Sequence, residues 1–466
     1  MMRTASIAVA ALTAALALSP AAQAQKIVYT PGAPGAGDPY FPDMGNGGYD
    51  VSGYDITLKF DPATKAIEAT TKVNATATQN LSSLNFDFLG LTVDEVKVGS
   101  NTAAFARTGA QELVVTPQYG ISAGATFSVT VTYHGVPQKI DDDTLGVSGW
   151  VATADGAVML NQPFGAATLF PVNDTPKDKA TYGFTITTPS DLTAIANGEQ
   201  GTKTTTGGLT TVKWKMNQPM ASELSMIAIG RFNVTTGRTP DGIRNITAVD
   251  TALDTGQGAA FFAGTGAVTD WLQSIWGPYP FASTGGVIDR VGVGYALETQ
   301  GRPVYDTSRA GRVPSNTLIA HEVGHQYFGD SVTPAAWKDI WLNEGFATYN
   351  EWLWTATHGG RSVQESFDDT YDQPASAAVW QPVMSDPGRD GIFDETVYDR
   401  GAMTLHALRT AIGDDAFFEL GRRWVAENRY GSVTTADFQA LAEQVSGQDL
   451  DDLFTKWAYT PGKPSL

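Results

Sequence analysis

The spacing of apolar residues changes once along this chain, and that change constrains the fold more than any other feature. Tyr54, Ile56, Leu58 and Phe60 alternate with polar residues, as do Phe127, Val129, Val131 and Tyr133, and then Tyr182, Phe184 and Ile186. Period two sends successive side chains to opposite faces of a strand. Short runs of this kind, broken by Gly, Pro, Asn and Asp, predict an antiparallel sandwich or saddle up to about Thr236. From Gly258 to Trp276 the apolar positions take helical spacing, and after Ser315 nearly every segment does. The pattern predicts helices over Ser315 to Gly329, Lys338 to His358, Tyr398 to Ile412, Asp414 to Asn428 and Thr435 to Val445. Several open on Ser, Thr or Asp and stop just before Gly. The expected fold class is therefore α+β, an N-terminal antiparallel β-domain followed by a mostly helical one, with the junction near Gly237 to Gly242.

Length agrees with more than one core, since 466 residues exceed what a single hydrophobic core organises. An apolar fraction of 42% fills those cores and excludes disorder for most of the chain. The ends of the scheme are set by the amino terminus. Arg3, the apolar run from Ile7 to Leu18, Pro20 and Ala22-Gln23-Ala24 have the layout of a cleavable export signal over 1–24, with cleavage after Ala24. The run is too short for a membrane span, which needs about 20 apolar residues, and no later segment is apolar for that length. Residues 25–48, rich in Pro and Gly, read as an extended arm with little core of its own. The β-domain then covers 49–238 and the second domain 239–466. The expected location is secreted or periplasmic.

An exported chain could form disulfides, but this one has no cysteine, which also excludes thiol catalysis and cysteine-bound metal. The 30 Lys and Arg stand against 49 Asp and Glu, a net charge of −19, or −20 once Arg3 leaves with the signal. That field repels phosphate, so nucleic acid is excluded as a partner. It serves solubility, and it could draw in cationic peptides.

The residues that carry chemistry lie in the helical half. Two of the five histidines fall in His321-Glu322-Val323-Gly324-His325. On a helix this spacing puts both imidazoles on one face, about 5–6 Å apart, where both can bind one zinc ion. Glu322 flanks the same cleft and can accept a proton from an attacking water. Catalytic zinc needs a third protein ligand and an open position. Glu344, 19 residues after His325 in Trp341-Leu342-Asn343-Glu344-Gly345, sits on the next predicted helix between Leu342 and Phe346. An antiparallel helix pair turning between Gly329 and Trp337 would return it over the histidines; a solvated helix glutamate is the alternative.

His-Glu-x-x-His, then after eighteen intervening residues a glutamate within Trp-Leu-Asn-Glu-Gly-Phe-Ala-Thr-Tyr, resembles the gluzincin zinc aminopeptidases, the family of aminopeptidase N and the leukotriene hydrolases. Asn173-Asp174-Thr175-Pro176 with Lys179-Ala180-Thr181 is similar to a segment of that family's β-domain, and Tyr398-Asp399-Arg400-Gly401-Ala402 to its catalytic tyrosine segment. The resemblance runs from about Tyr49 to Trp457. It implies a thermolysin-like catalytic domain, one catalytic zinc held by His321, His325 and Glu344, Glu322 as general base, and Tyr398 as hydrogen-bond donor to the developing oxyanion. The family's Gly-Ala-Met-Glu-Asn motif aligns with Tyr295-Ala296-Leu297-Glu298-Thr299, so Ala296 and Leu297 would line the substrate and Glu298 would grip its free ammonium. Tyr295 replaces the motif's Gly and Thr299 its Asn. Gln162 aligns with the second amine contact. Glu351, seven residues after Glu344, either orients a zinc-bound histidine or is an ordinary exposed glutamate. His134, His358 and His406 lack partners at ligand spacing and read as structural.

Longer relatives carry a further helical domain over the cavity; the chain stops at Leu466, so the resemblance implies a short form without that roof. The expected activity is release of the N-terminal residue from peptides with a free amine. The rivals are an endopeptidase or epoxide hydrolase on the same scaffold and, with intact ligands and base arguing against it, a non-catalytic peptide-binding protein.

Overall fold

The computed structural model describes residues 27–466, so the predicted signal over 1–24 lies outside the described residues. In the first half, β1 (Tyr49–Phe60), β2 (Ile67–Ala77), β3 (Leu81–Asp87), β4 (Glu112–Thr116), β5 (Thr126–Gly135), β6 (Ala180–Pro189) and β7 (Leu209–Met220) supply the long strands. β7, β6, β1, β2 and β5 lie side by side within an eight-stranded sheet. The three alternating runs of the sequence form its buried face. Tyr54 on β1 opposes Val73 on β2 and Tyr182 on β6, and the two tyrosine rings stack with centroids 4.9 Å apart. The pairing of β1 with β6 is parallel, whereas its other long neighbours run antiparallel, so the sheet is mixed. A four-stranded sheet containing β3 and β4 and a five-stranded sheet in which Ile227–Gly230 lies between Ala157–Leu160 and Thr193–Ala196 complete this half.

The expected junction needs correction. The strand Phe232–Arg238 pairs antiparallel with β8 (Arg244–Asp250), so residues 239–243 form the tip of a hairpin inside the second half. Alternation identifies a strand but not the sheet that it joins. β8, β9 (Ser283–Asp289) and β11 (Val304–Asp306) are parallel neighbours, and the two-residue β10 (Ala296–Leu297) closes the edge against β11.

The helices follow the sequence closely. α1 (Gly258–Trp276) crosses between β8 and β9, and α2 (Asn316–Gly324) starts at Ser315, whose hydroxyl accepts from the Leu318 N–H. α2 stops before the expected Gly329. The chain turns there, with Asp330 N–H bonded to His325 O, and enters a short bridge to residues 432–433. α3 (Trp341–Thr357), α4 (Val363–Tyr371), α5 (Gly401–Ile412), α6 (Asp414–Glu427) and α7 (Thr435–Ser446) follow. α4 was not expected: Val363 and Phe367 are its only buried large apolar residues, too few to mark a period, and a Ser362–Glu365 capping box starts it.

Two large hydrophobic cores result, with a small third cluster of Phe367, Val379, Trp380, Met403 and Trp457. The first fills the β-half and takes in Ile246, Ala248, Val287, Leu297 and Val304 from the second sheet. The second is built from α1 to α7 around Trp276, Phe328, Trp341 and Phe346. The N-terminal arm is anchored on the second half: Phe41 is buried in the second core against Phe164 and Trp337, and Asp38 accepts from the Trp337 N–H.

Candidate active site

α2 and α3 bring three ligating groups together, as their spacing predicts. Glu344 Oε2 lies 3.4 Å from His321 Nε2 and 3.2 Å from His325 Nε2, and one atom of each residue falls within 4.8 Å of the others. The far side of each ring is fixed as well. His321 Nδ1 is 2.7 Å from Glu351 Oε1, and His325 Nδ1 is 3.2 Å from the Phe328 carbonyl. Both partners are acceptors, so each ring donates from Nδ1 and turns its Nε2 lone pair inward. Glu344 Oε2, buried and without a hydrogen-bond donor, meets those two lone pairs. Such a set repels itself unless a cation sits among it. Two imidazole nitrogens and one carboxylate with room for a fourth ligand match catalytic zinc, so the donor set fits one zinc ion. Of the two readings of Glu351, the structure realises the partner of His321.

Glu322 is 4% exposed and shares α2 with His321, while His325 caps the end of that helix. Burial raises its affinity for a proton; the two histidines oppose that shift. Tyr398 arrives from a one-turn π-helix, Thr396–Arg400, leading into α5. Its ring stacks on His321 with centroids 6.1 Å apart and planes at 18°, and its hydroxyl reaches Glu344. Burial holds its proton well above the ordinary phenol range, so it is a donor at any working pH. The approach depends on two glycines: a Cβ on Gly345 of α3 would lie 2.9 Å from the Gly401 Cα of α5.

Glu298 follows β10 and is 3% exposed. Gln162, which follows the strand Ala157–Leu160 of the β-half, donates its amide to Glu298 Oε1 at 2.6 Å. The two residues chosen from the sequence, 136 positions apart, therefore meet. Burial pushes the Glu298 carboxyl upward, with His325 opposing and Glu344 adding to it. The altered motif positions look elsewhere. Thr299 Oγ1 donates to the Arg302 carbonyl, and the Tyr295 hydroxyl donates to Val147 O across in the β-half. Ala296 is half-buried, and the Leu297 side chain is buried in the first core, leaving its backbone as the part a substrate could meet.

One residue escaped the sequence reading. Gln326 donates to the carbonyls of Glu298 (2.9 Å) and Glu322 (3.3 Å) and accepts from the Gly301 N–H, tying the Glu298 loop to α2. Its place directly after the second histidine was the available signal. The other histidines stay apart: His134 pairs with Asp94 on the surface, His358 stacks on Trp354, and His406 lies beside Tyr349.

Residues 51–224 match the peptidase M1 N-terminal domain and residues 303–457 the peptidase family M1 domain. Similar curated proteins include aminopeptidase M1-C of Oryza sativa subsp. japonica, 28% identical over 67% of this chain and 38% of the relative. The tricorn protease-interacting factor F2 of Thermoplasma acidophilum is 24% identical over 89% of this chain and 54% of its own. The chain thus spans about two-fifths to about half the length of these relatives. Among solved structures, the M1 zinc metallopeptidase from Deinococcus radiodurans has a TM-score of 0.84 at 28% identity, covering 92% of this chain and 99% of that one. A mutant of that protein bound to Tyr-Ser-Ala substrate gives 0.83, with 93% and 100% covered.

Proposed function

Since the chain belongs to the M1 peptidase family, we propose that it is a zinc aminopeptidase acting on peptides with a free amino terminus. The observation that carries this reading is Glu298: a buried carboxylate, held by Gln162 and set beside the three-ligand cluster, suits a substrate ammonium next to a reacting carbonyl. His321, His325 and Glu344 would hold the zinc. Zinc in that position supplies a Lewis acid that polarises a carbonyl and acidifies a water.

The protein's own groups do the rest. Glu298 and Gln162 fix the terminal amine, so that only the first peptide bond reaches the ligand cluster. Glu322 takes the proton of the attacking water and returns it to the leaving amine. Tyr398 donates to the oxygen that becomes negative as the carbonyl carbon turns tetrahedral. Glu351 and the Phe328 carbonyl keep both rings in the ligating tautomer. Export is part of the proposal and rests on the composition of residues 1–24.

The test is a panel of amino-acid amides, free peptides and amino-blocked peptides. Release of the first residue from free but not blocked peptides is expected, with activity lost on chelation and restored by zinc. Cleavage of blocked peptides at internal bonds would refute the reading.

A further inference from the structure

A cavity of about 620 Å³ adjoins the site, lined among others by Ala296, Tyr305, Asp306, Arg312, Val313 and Leu318. Its position follows from three of these. Leu318 lies one helical turn before Glu322 on α2, so both sit on the same face. Tyr305 pairs with Ala296 across β10 and β11, and its buried hydroxyl, close to Glu322, has no hydrogen-bond partner. Ala296 stands two residues before Glu298. The cavity therefore reaches the proposed base through its neighbours Leu318 and Tyr305, while Glu322, Glu298 and Gln162 do not themselves line it. With the amine held at those two residues, the cavity receives the part of the substrate beyond the scissile bond.

Its chemistry is uneven. Ile288, Val313 and Leu318 make the walls apolar, and two charges remain. Asp306 is already engaged, accepting from the backbone N–H of Val291 (2.8 Å), Gly292 (3.0 Å) and Gly294 (2.7 Å). Arg312 has no carboxylate within 4.0 Å among the described residues, although the chain carries 49 acidic residues. Thr307, Ser315 and the Tyr305 hydroxyl add neutral polar groups to the lining, and Arg312 itself is exposed at the rim. A guanidinium there without a carboxylate partner can receive one, because its planar fork matches the two oxygens of that group.

We propose that this cavity binds the residue after the scissile bond and that Arg312 pairs with a carboxylate on it. That carboxylate comes either from the C-terminus of a dipeptide or from an Asp or Glu side chain at the second position. The proposal rests on the aminopeptidase reading. Either source makes the enzyme favour substrates negative on the leaving side, against the repulsion of an acidic protein.

The experiment compares specificity constants for four substrates sharing one first residue: the amino-acid amide, a free dipeptide ending in Ala, its C-terminal amide, and the dipeptide amide ending in Asp. A partly exposed ion pair is worth about two- to fivefold. The free dipeptide, the Asp dipeptide amide, or both should exceed the Ala dipeptide amide by that factor, chiefly through KM, and the excess should fade in high salt. In Arg312→Ala the ratio of charged to uncharged substrate should drop to about one, and in Arg312→Glu it should invert. An excess for the free dipeptide alone assigns the terminal carboxylate, and for the Asp amide alone the side chain. Equal constants across the dipeptides, or an excess that survives Arg312→Glu, overturn the proposal while amide turnover keeps the aminopeptidase reading intact. Loss of turnover on the amino-acid amide and on every free peptide would instead sink that reading, and the proposal with it.

Discussion

Glu322, Tyr398 and Glu351 surround the ligand cluster without belonging to it, and each should fail in its own way. Glu322→Gln keeps the shape of the side chain but cannot take or return a proton. Zinc content should stay full while peptide hydrolysis falls by about 10² or more, as measured by metal analysis beside turnover. On the proposed reading Tyr398 donates to the developing oxyanion, so Tyr398→Phe should lower kcat about 10²- to 10³-fold with little change in KM. Glu351→Gln leaves the three ligands in place but weakens the acceptor that fixes His321; zinc affinity, read by competition with a chelator, should drop about 10- to 100-fold. At this scale the sequence was informative because ligand chemistry permits few residue types at fixed spacing. His321, His325 and Glu344 could be named for that reason. Gln326 could not: its place directly after His325 is its one mark in the sequence, and an amide that bridges two backbone segments adds no pattern of its own.

Between elements, two contacts set testable limits. α3 and α5 touch at Gly345 and Gly401, and this crossing places Glu344 and Tyr398 on facing surfaces. Gly345→Ala would push a methyl into the Gly401 backbone, costing about 1–3 kcal/mol. Thermal unfolding should shift down and kcat should fall, because both groups move together. In the β-half, Glu112 on β4 lies directly opposite Asp87 on β3, an acidic pair across two strands. Burial, reinforced by Asp43, pushes the Glu112 carboxyl up to about 7. The folded state thus holds this proton more tightly than the unfolded state, so the group's contribution to stability falls as pH rises from about 4.5 through 7. Glu112→Gln should raise the melting temperature at pH 8, by about 1–2 kcal/mol in stability, and the gain should vanish near pH 4. Periodicity revealed the long strands and most helices because each buries one face. It missed α4, where capping rather than an apolar stripe starts the helix, and assigned Phe232–Arg238 to the wrong side of the junction because pairing partners lie outside any local window.

Across the whole molecule, Lys179 joins the two halves. Its ammonium, buried in the β-half, donates to the carbonyls of Asp330 (3.0 Å), Ser331 (3.1 Å) and Gly431 (3.0 Å) behind the ligand cluster. Lys179→Met leaves those three carbonyls without their donor, and should cost about 2–4 kcal/mol and raise KM for amino-acid amides. A variant with normal KM would show that the β-half does not hold the amine site in place. The two large hydrophobic cores give this contact a wider meaning. Leu297, beside Glu298, is packed into the first core, whereas α2 and α3 belong to the second. On the proposed reading, the grip on the peptide's first atom and the point of the cut are mounted on different bodies. Their separation is a ruler, and one peptide unit of about 3.5 Å is its graduation. Sliding one body over the other by that amount would leave every reacting group intact yet release residues in pairs.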